Sequence, residues 1–303
     1  MIKVTVPATS ANVGAGFDAL GLALSLHNTV TLEESDRIDI QSSDGSLIPT
    51  GTSNLVYRSA RAVFDQLGQP LPGICIRQEN PIPMARGLGS SSACIVAGIL
   101  GANALLGSPL TPRQMLTLAT SIEGHPDNVA PAMLGGFVTS VYDEGQVYSA
   151  RKAINEELAF AAFIPNFKLL TEKARAALPK TVERADAVYN LSRAALATAA
   201  FCDGDYELLK VATKDALHQQ YRLPLIPGLN DDEGHLENFA RTIKALGRVQ
   251  AVELLPYHRL GKNKYALLGR AYALESLGPM SKEDLARRAA FVAERLGGTK
   301  VLF

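Results

Sequence analysis

Pro83-Met84-Ala85-Arg86-Gly87-Leu88-Gly89-Ser90-Ser91-Ser92-Ala93 runs straight into an apolar stretch of helical character, Cys94 to Leu106. This reads as a phosphate cradle. Gly87 and Gly89 let the backbone approach a ligand closely or take positive φ, and three serines put hydroxyls at the start of a helix whose unpaired N–H groups favour an anion. An isolated Gly-x-Gly-Ser is more often a turn with a serine N-cap. The full eleven-residue string favours the cradle, and a nucleotide is its natural occupant. No Gly-Lys-Ser/Thr ends the string and no lysine lies between Arg77 and Lys152, so it is not the loop of the strand-and-helix NTPases. Nor does Gly-x-Gly-x-x-Gly follow the first strand, as a dinucleotide fold requires.

Other segments carry chemistry-bearing residues in compact strings. Pro7-Ala8-Thr9-Ser10-Ala11-Asn12-Val13-Gly14-Ala15-Gly16-Phe17-Asp18 sits near the start, and Glu123-Gly124-His125-Pro126-Asp127-Asn128-Val129-Ala130-Pro131-Ala132 lies mid-chain. Asn54-Leu55-Val56-Tyr57 and Leu170-Thr171-Glu172-Lys173-Ala174-Arg175-Ala176-Ala177-Leu178-Pro179 complete the set. At these strings the chain resembles the GHMP kinases, and within them the homoserine kinases, from residue 1 to about residue 222. The first string departs from the family's usual form, which has Pro where this chain has Ala15. Residues alone reach only a phosphate-binding loop and a polar acceptor pocket. The resemblance implies more: an α+β fold of two domains, residues 1–150 binding ATP and residues 151–303 forming a C-terminal domain. The implied reaction is ATP-dependent phosphorylation of L-homoserine to O-phospho-L-homoserine, for threonine synthesis, with ATP and Mg2+ as cofactors.

Residue by residue, the resemblance assigns ATP binding to Pro83, Arg86, Gly87, Leu88, Gly89, Ser90, Ser91, Ser92 and Ala93. Mg2+ needs hard oxygen ligands, and the implied pair is Ser91 and Glu123. An exposed residue at a helix C-terminus is the other reading of Glu123. Arg175 and Arg222 are matched to the acceptor carboxylate, which a planar guanidinium can grip with two bonds. Arg222 reads equally as a surface ion pair. Asn12, Asp18 and Asn128 are expected to take the ammonium and hydroxyl through amide and carboxylate oxygens. Asp127, with Asn128 and Arg175, is placed in the catalytic set. Asp127 is either the general base or a residue that orders its own loop, since phosphoryl transfer can proceed by positioning alone. His125 with Pro126 is expected to shape that loop, and neither His218 nor His258 shows metal-ligand spacing.

Beyond Arg222 the resemblance stops. The family's third glycine-rich motif, Gly-Ser-Gly-Pro-Thr or Gly-Ala-Gly-Pro-Thr, has no counterpart. Leu223 to Asp232 and Val252 to Tyr265 look instead like the C-terminal end of pyruvate formate-lyase activating enzymes, so the chain reads as two pieces joined near residue 222, with an atypical C-terminal segment. Activation of a glycyl-radical enzyme is rejected, because Cys75, Cys94 and Cys202 lack the close spacing of a radical iron–sulfur cluster. Two alternatives to the homoserine reading stand: a kinase of the same superfamily for another small alcohol, and a catalytically dead chimera that only binds nucleotide.

Lys plus Arg and Asp plus Glu number 30 each in 303 residues, which suggests neither a nucleic-acid nor a membrane partner. No stretch approaches 18 apolar residues, and the chain is expected to be soluble and cytoplasmic. The partner is the small-molecule substrate, with a homodimer left open. Strands are expected at Ile2–Val6, Leu20–Glu33, Arg37–Gln41, Gly73–Gln78, Gly135–Tyr142 and Ala159–Pro165. Helices are expected from Asn54 to Leu67, from Thr111 to Glu123, and over Ala185–Ala200 and Tyr206–Leu217. In the tail, Asp231–Leu246 and Ser281–Leu296 read as helices, and Gln250–Leu255 and Lys300–Phe303 as strands.

Overall fold

The computed structural model describes residues 1–71, 73–154, 158, 160, 171–222, 225, 233–246, 251–253, 281–297 and 300–302. The α+β class expected from the sequence is what they show. One compact unit contains Met1–Leu158 with Pro179–Leu217; a second contains Ala174–Leu178 and His218–Phe303.

The first unit is organised by one long strand. β1 (Ile2–Ala11) pairs antiparallel along almost all of β2 (Leu20–Ser35), from Ile2 opposite Leu32 to Ala11 opposite Gly21. β2 also pairs with two strands over separate stretches. Residues Thr29 to Ser35 bond β4 (Gly73–Glu79), and Leu20 to Leu22 bond β5 (Phe137–Asp143). β3 (Asp39–Ser42) lies parallel to β4, and β6 (Gln146–Lys152) closes a hairpin with β5. The sequence reading did not foresee β6. Its turn is Glu144-Gly145, both at positive φ, a hairpin signal that went unused.

Helices pack on this sheet because their apolar residues recur at helical spacing. In α1 (Leu55–Gln66), Val56, Tyr57, Ala60, Val63 and Phe64 are buried, and Asn54 caps the start by accepting from the Val56 and Tyr57 N–H groups. α2 (Ser90–Leu105) is apolar nearly all round and correspondingly central, with Ala93, Ile95, Val96, Ala97, Ile99 and Ala102 at 1% exposure or less. Thr111 and Gln114 form a reciprocal capping box at the start of α3 (Pro112–Glu123). α4 (Pro126–Leu134) completes the layer. The sequence reading set His125, Pro126 and Asp127 in a loop and expected no helix between Glu123 and the strand at Gly135; α4 begins at Pro126. Pro126 at the first helical position, with its φ preset, is the local cause.

A separate cluster joins Leu20, Leu22 and Phe137 to Ala197, Phe201 and Ala212, with the Phe137 and Phe201 rings stacked at 4.0 Å. Ala197 and Phe201 belong to α6 (Arg184–Asp203), which follows α5 (Thr171–Ala176). The continuous helix expected over Tyr206–Leu217 is not formed. A 3-10 turn (Tyr206–Leu208) and α7 (Leu209–Ala212) are followed by irregular backbone. Side chains compete for the N–H groups there: Ala216 donates to Asn190 Oδ1 at 2.7 Å and Leu217 to Asp215 Oδ1 at 3.1 Å.

In the second unit, α8 (Gln219–Arg222) precedes α9 (Glu233–Leu246), β7 (Ala251–Glu253), α10 (Lys282–Leu296) and β8 (Lys300–Leu302). β7 and β8 pair in parallel. Leu236, Ala240 and Ile243 of α9 meet Val292 and Leu296 of α10 in a small core of their own. Of the strand expected over Ala159–Pro165 only Phe160 is described, outside any strand; the rest of it, and the ends of the tail strands at Gln250, Leu254, Leu255 and Phe303, lie outside the described residues.

Candidate active site

The glycine-rich string leads straight into α2. Gly89, left-handed at φ 65°, is the N-cap of α2, and no side chain caps the helix; Ser90 is its first helical residue. A serine N-cap is therefore excluded. Ala85, Gly87 and Gly89 all have positive φ, an alternation of the kind that can build a backbone concavity suited to an anion. Within the same loop, Arg86 Nη1 is buried with no partner among the described residues. Loop placement is fixed from below: Asn28, fully buried, accepts from the Ile82 N–H at 3.1 Å, and the Thr9 N–H donates to Leu88 O at 3.1 Å.

Opposite the cradle, Glu123 is the last residue of α3. Its Oε1 accepts from Ser91 Oγ at 3.0 Å and from Ser92 Oγ at 2.8 Å. The half-buried Glu123 is thus tied to the helix start, and the solvent-facing alternative for it does not describe this geometry. Cys94, one turn further along α2, has its thiol pushed up to about 11 by burial and by the Glu123 charge. Left-handed Gly124 ends α3, and extended His125 with Pro126 starts α4 at once. That two-residue junction sets the carboxylates Glu123 and Asp127 at facing helix ends.

Asp127 is fully buried in the first turn of α4, where the helix dipole favours its charge. His125 Nδ1 bonds its Oδ1, while Oδ2 has no partner among the described residues. Asp18, His125 and Asp127 each bring a ligand-type atom within 4.8 Å of the others. The sequence reading missed this cluster, since Asp18 is remote in the chain. Asn12 and Asp18 bound the turn after β1, both at positive φ, and the Asp18 N–H donates to Asn12 Oδ1 at 3.0 Å. Asn and Asp tolerate this conformation better than other side chains. Asn190 of α6 holds the turn down: its Nδ2 donates to Ala15 O at 3.1 Å and to Asp215 Oδ1 at 2.8 Å.

Asn128 completes the set. Its Oδ1 accepts from Thr9 Oγ1 at 2.8 Å, so its carbonyl oxygen is engaged within the fold. Thr9 was inside a quoted string but not among the expected site residues; only the fold brings it to Asn128. Arg175 in α5 and Arg222 at the end of α8 are half-buried and belong to the second unit. The structure thus gathers Asn12, Asp18, Ser91, Ser92, Glu123, Asp127 and Asn128 in the first unit, around three sequence-remote strings.

Comparison with known proteins follows the same lines. Residues 54–136 match the family model for the GHMP kinases N terminal domain. The homoserine kinase of Moorella thermoacetica is 49% identical over 231 residues, 76% of this chain and 78% of its own, and that of Clostridium beijerinckii is 46% identical over 233 residues with the same coverage. The crystal structure of homoserine kinase from Cytophaga hutchinsonii superposes with a TM-score of 0.65 at 29% identity, covering 80% of this chain and 78% of that one. With its glycine- and serine-rich loop, its Glu123–Asn128 junction and this degree of kinship over most of both chains, the protein belongs to the homoserine kinases of the GHMP superfamily.

Proposed function

We infer that the protein transfers the γ-phosphoryl group of ATP to the side-chain hydroxyl of L-homoserine, yielding O-phospho-L-homoserine and ADP for threonine synthesis. The observation that carries this reading is the meeting of the serine-rich helix start with Glu123 and the Asp127-Asn128 turn. A phosphate cradle and a polar acceptor pocket thereby share one wall. Phosphoryl transfer asks mainly for in-line positioning and charge neutralisation, and these residues supply groups for both.

The cradle from Pro83 to Ala93 is assigned the triphosphate, with Arg86 as a cation inside the loop. Ser91 and Glu123 are assigned Mg2+. Their oxygens, 3.0 Å apart, are a hard donor set of the kind this ion selects, and Ser92 adds a second hydroxyl to the same carboxylate. When bound, the ion supplies neutralisation of phosphate charge. Arg175 and Arg222 are assigned the acceptor carboxylate, and Asn12 and Asp18 its ammonium. Asp127 is the candidate base. As the new O–P bond forms and the bond to the ADP oxygen breaks, the hydroxyl proton passes to a carboxylate oxygen, and the unpartnered, buried Asp127 Oδ2 is available to receive it. Among the described residues no helix is long and apolar enough to cross a membrane; cytoplasmic residence and a homodimer belong to the proposal.

The tail belongs to it as well. Residues from 223 onward, which resemble the end of a radical enzyme's activator, replace the family's third glycine-rich motif and lower turnover by leaving the phosphate loop less well supported. A misplacement of about 1 Å can cost on the order of 100-fold in rate.

A coupled ADP-release assay with homoserine, mevalonate and shikimate tests the reading. Turnover is expected with homoserine alone. Preference for another alcohol overturns the substrate, and nucleotide binding without turnover on any acceptor favours the dead chimera. Exchanging residues 223–303 for a homoserine-kinase C-terminus is expected to raise turnover; an unchanged rate removes the tail from the argument.

A further inference from the structure

Thr9 stands where the three strings of the site meet. It is fully buried in β1; its hydroxyl donates to Asn128 Oδ1 at 2.8 Å and its N–H to Leu88 O at 3.1 Å. A Cβ built on Gly89 would lie 2.0 Å from Thr9 Oγ1 and 3.2 Å from Asn128 Oδ1, so the phosphate loop presses its backbone directly against this hydrogen bond. Only glycine fits there, both for that contact and for its left-handed φ.

An amide has one acceptor oxygen and one donor nitrogen, and fixing either fixes the other. We propose that Thr9 is a positioning residue: by occupying Asn128 Oδ1 it locks the carboxamide with Nδ2 as the group offered to the acceptor, so that Asn128 meets an oxygen of the reacting alcohol and not its ammonium. The inference rests on the proposed kinase reading. It changes the chemistry expected of Asn128 from acceptor to donor. A hydroxyl whose oxygen must attack phosphorus can accept a hydrogen bond from Nδ2 while its own proton points to a carboxylate, which leaves Asn12 and Asp18 as the ammonium partners. Thr9 also couples this orientation to the loop, since one residue bonds both Leu88 and Asn128.

The test compares Thr9→Val, which keeps the shape of the side chain and removes the hydroxyl, with Thr9→Ser, which keeps the hydroxyl; Thr9→Ala is a second deletion should the valine not fold. Turnover with homoserine, KM for each substrate and binding of a fluorescent ATP analogue are measured alongside the side-chain amide signals of Asn128 in nitrogen-15 spectra, assigned with Asn128→Asp. The deletion variants are expected to lose about 10- to 100-fold in kcat, with ATP-analogue binding within about threefold of the parent and Asn128 amide signals broadened or moved. Thr9→Ser is expected to restore both. Unchanged kcat and unchanged amide signals in the deletion variants overturn the proposal, as does a serine variant no better than valine. Equal loss of nucleotide binding reassigns Thr9 to the loop alone and overturns it too. Should the parent turn over no acceptor, the kinase reading fails, and the Asn128 amide signals still decide whether Thr9 sets that side chain.

Discussion

Ser92 Oγ donates to Glu123 Oε1 at 2.8 Å across 31 residues of chain, joining the N-terminus of one helix to the C-terminal residue of another. Together with Ser91 it turns a glycine-serine string and a distant glutamate into one oxygen-rich face. If that face holds the metal, Ser91→Ala and Glu123→Gln should each lower kcat by roughly 100-fold, the scale of losing one well-placed charge-stabilising group. The melting temperature should move by only about 2–4 °C. Steady-state kinetics at saturating Mg2+, with a thermal melt of each variant, check this; near-normal turnover in Glu123→Gln removes the residue from the site.

Arg175→Ala should weaken homoserine use selectively. A charged hydrogen bond to a carboxylate is worth about 2 kcal/mol or more, close to 30-fold in kcat/KM. ATP-analogue affinity should be retained. Parallel loss of both affinities assigns Arg175 to the fold or to the nucleotide.

Asn190 is expected to matter to stability far from the phosphate loop. It is buried, donates to Ala15 O and Asp215 Oδ1 and accepts from the Ala216 N–H. Asn190→Leu removes all three bonds and leaves Ala15 O without its Asn190 donor, at a cost of about 2–4 kcal/mol. Because Ala15 lies in the turn carrying Asn12 and Asp18, KM for homoserine should rise in the same variant. Urea unfolding and steady-state kinetics read the two effects, and an unaltered midpoint would show that water replaces the amide.

Cys94 gives a pH prediction. Burial first, and the Glu123 charge second, raise its thiol from an ordinary value of 9.0 to about 11. The folded state therefore holds this proton more tightly than the unfolded chain. Its contribution to stability is complete below about pH 9 and is lost as pH rises through about 11. Alkylation by iodoacetamide at pH 8 should modify exposed Cys202 well before Cys94. Fast modification of Cys94 in the folded protein would contradict the burial argument, and Cys94→Ser should flatten the alkaline loss of stability.

What was legible in the sequence is what chain neighbours decide. Asn54 capping α1, the Thr111 start of α3, the glycine-rich cradle and the apolar helix behind it all depend on contacts a few residues apart, and there local preference and tertiary packing agree. The Glu-Gly-His-Pro-Asp-Asn string is readable as a motif, but its glycine stop and proline start fit a loop as well as a new helix, and α4 is settled by the burial of Val129, Ala130 and Ala132 in the core. The expected helix over Tyr206–Leu217 failed for the opposite reason. Its propensity is real, but Asn190 and Asp215 take the N–H groups, and only the fold brings Asn190 there. Likewise nothing near Thr9 announces Asn128, and nothing near Asp18 announces His125. The sequence by itself determined which side chains are candidates for phosphate, metal and amino acid; the tertiary structure alone decided which of their atoms are already engaged, because a hydrogen bond between residues a hundred positions apart exists only once the sheet and its helices have closed around it.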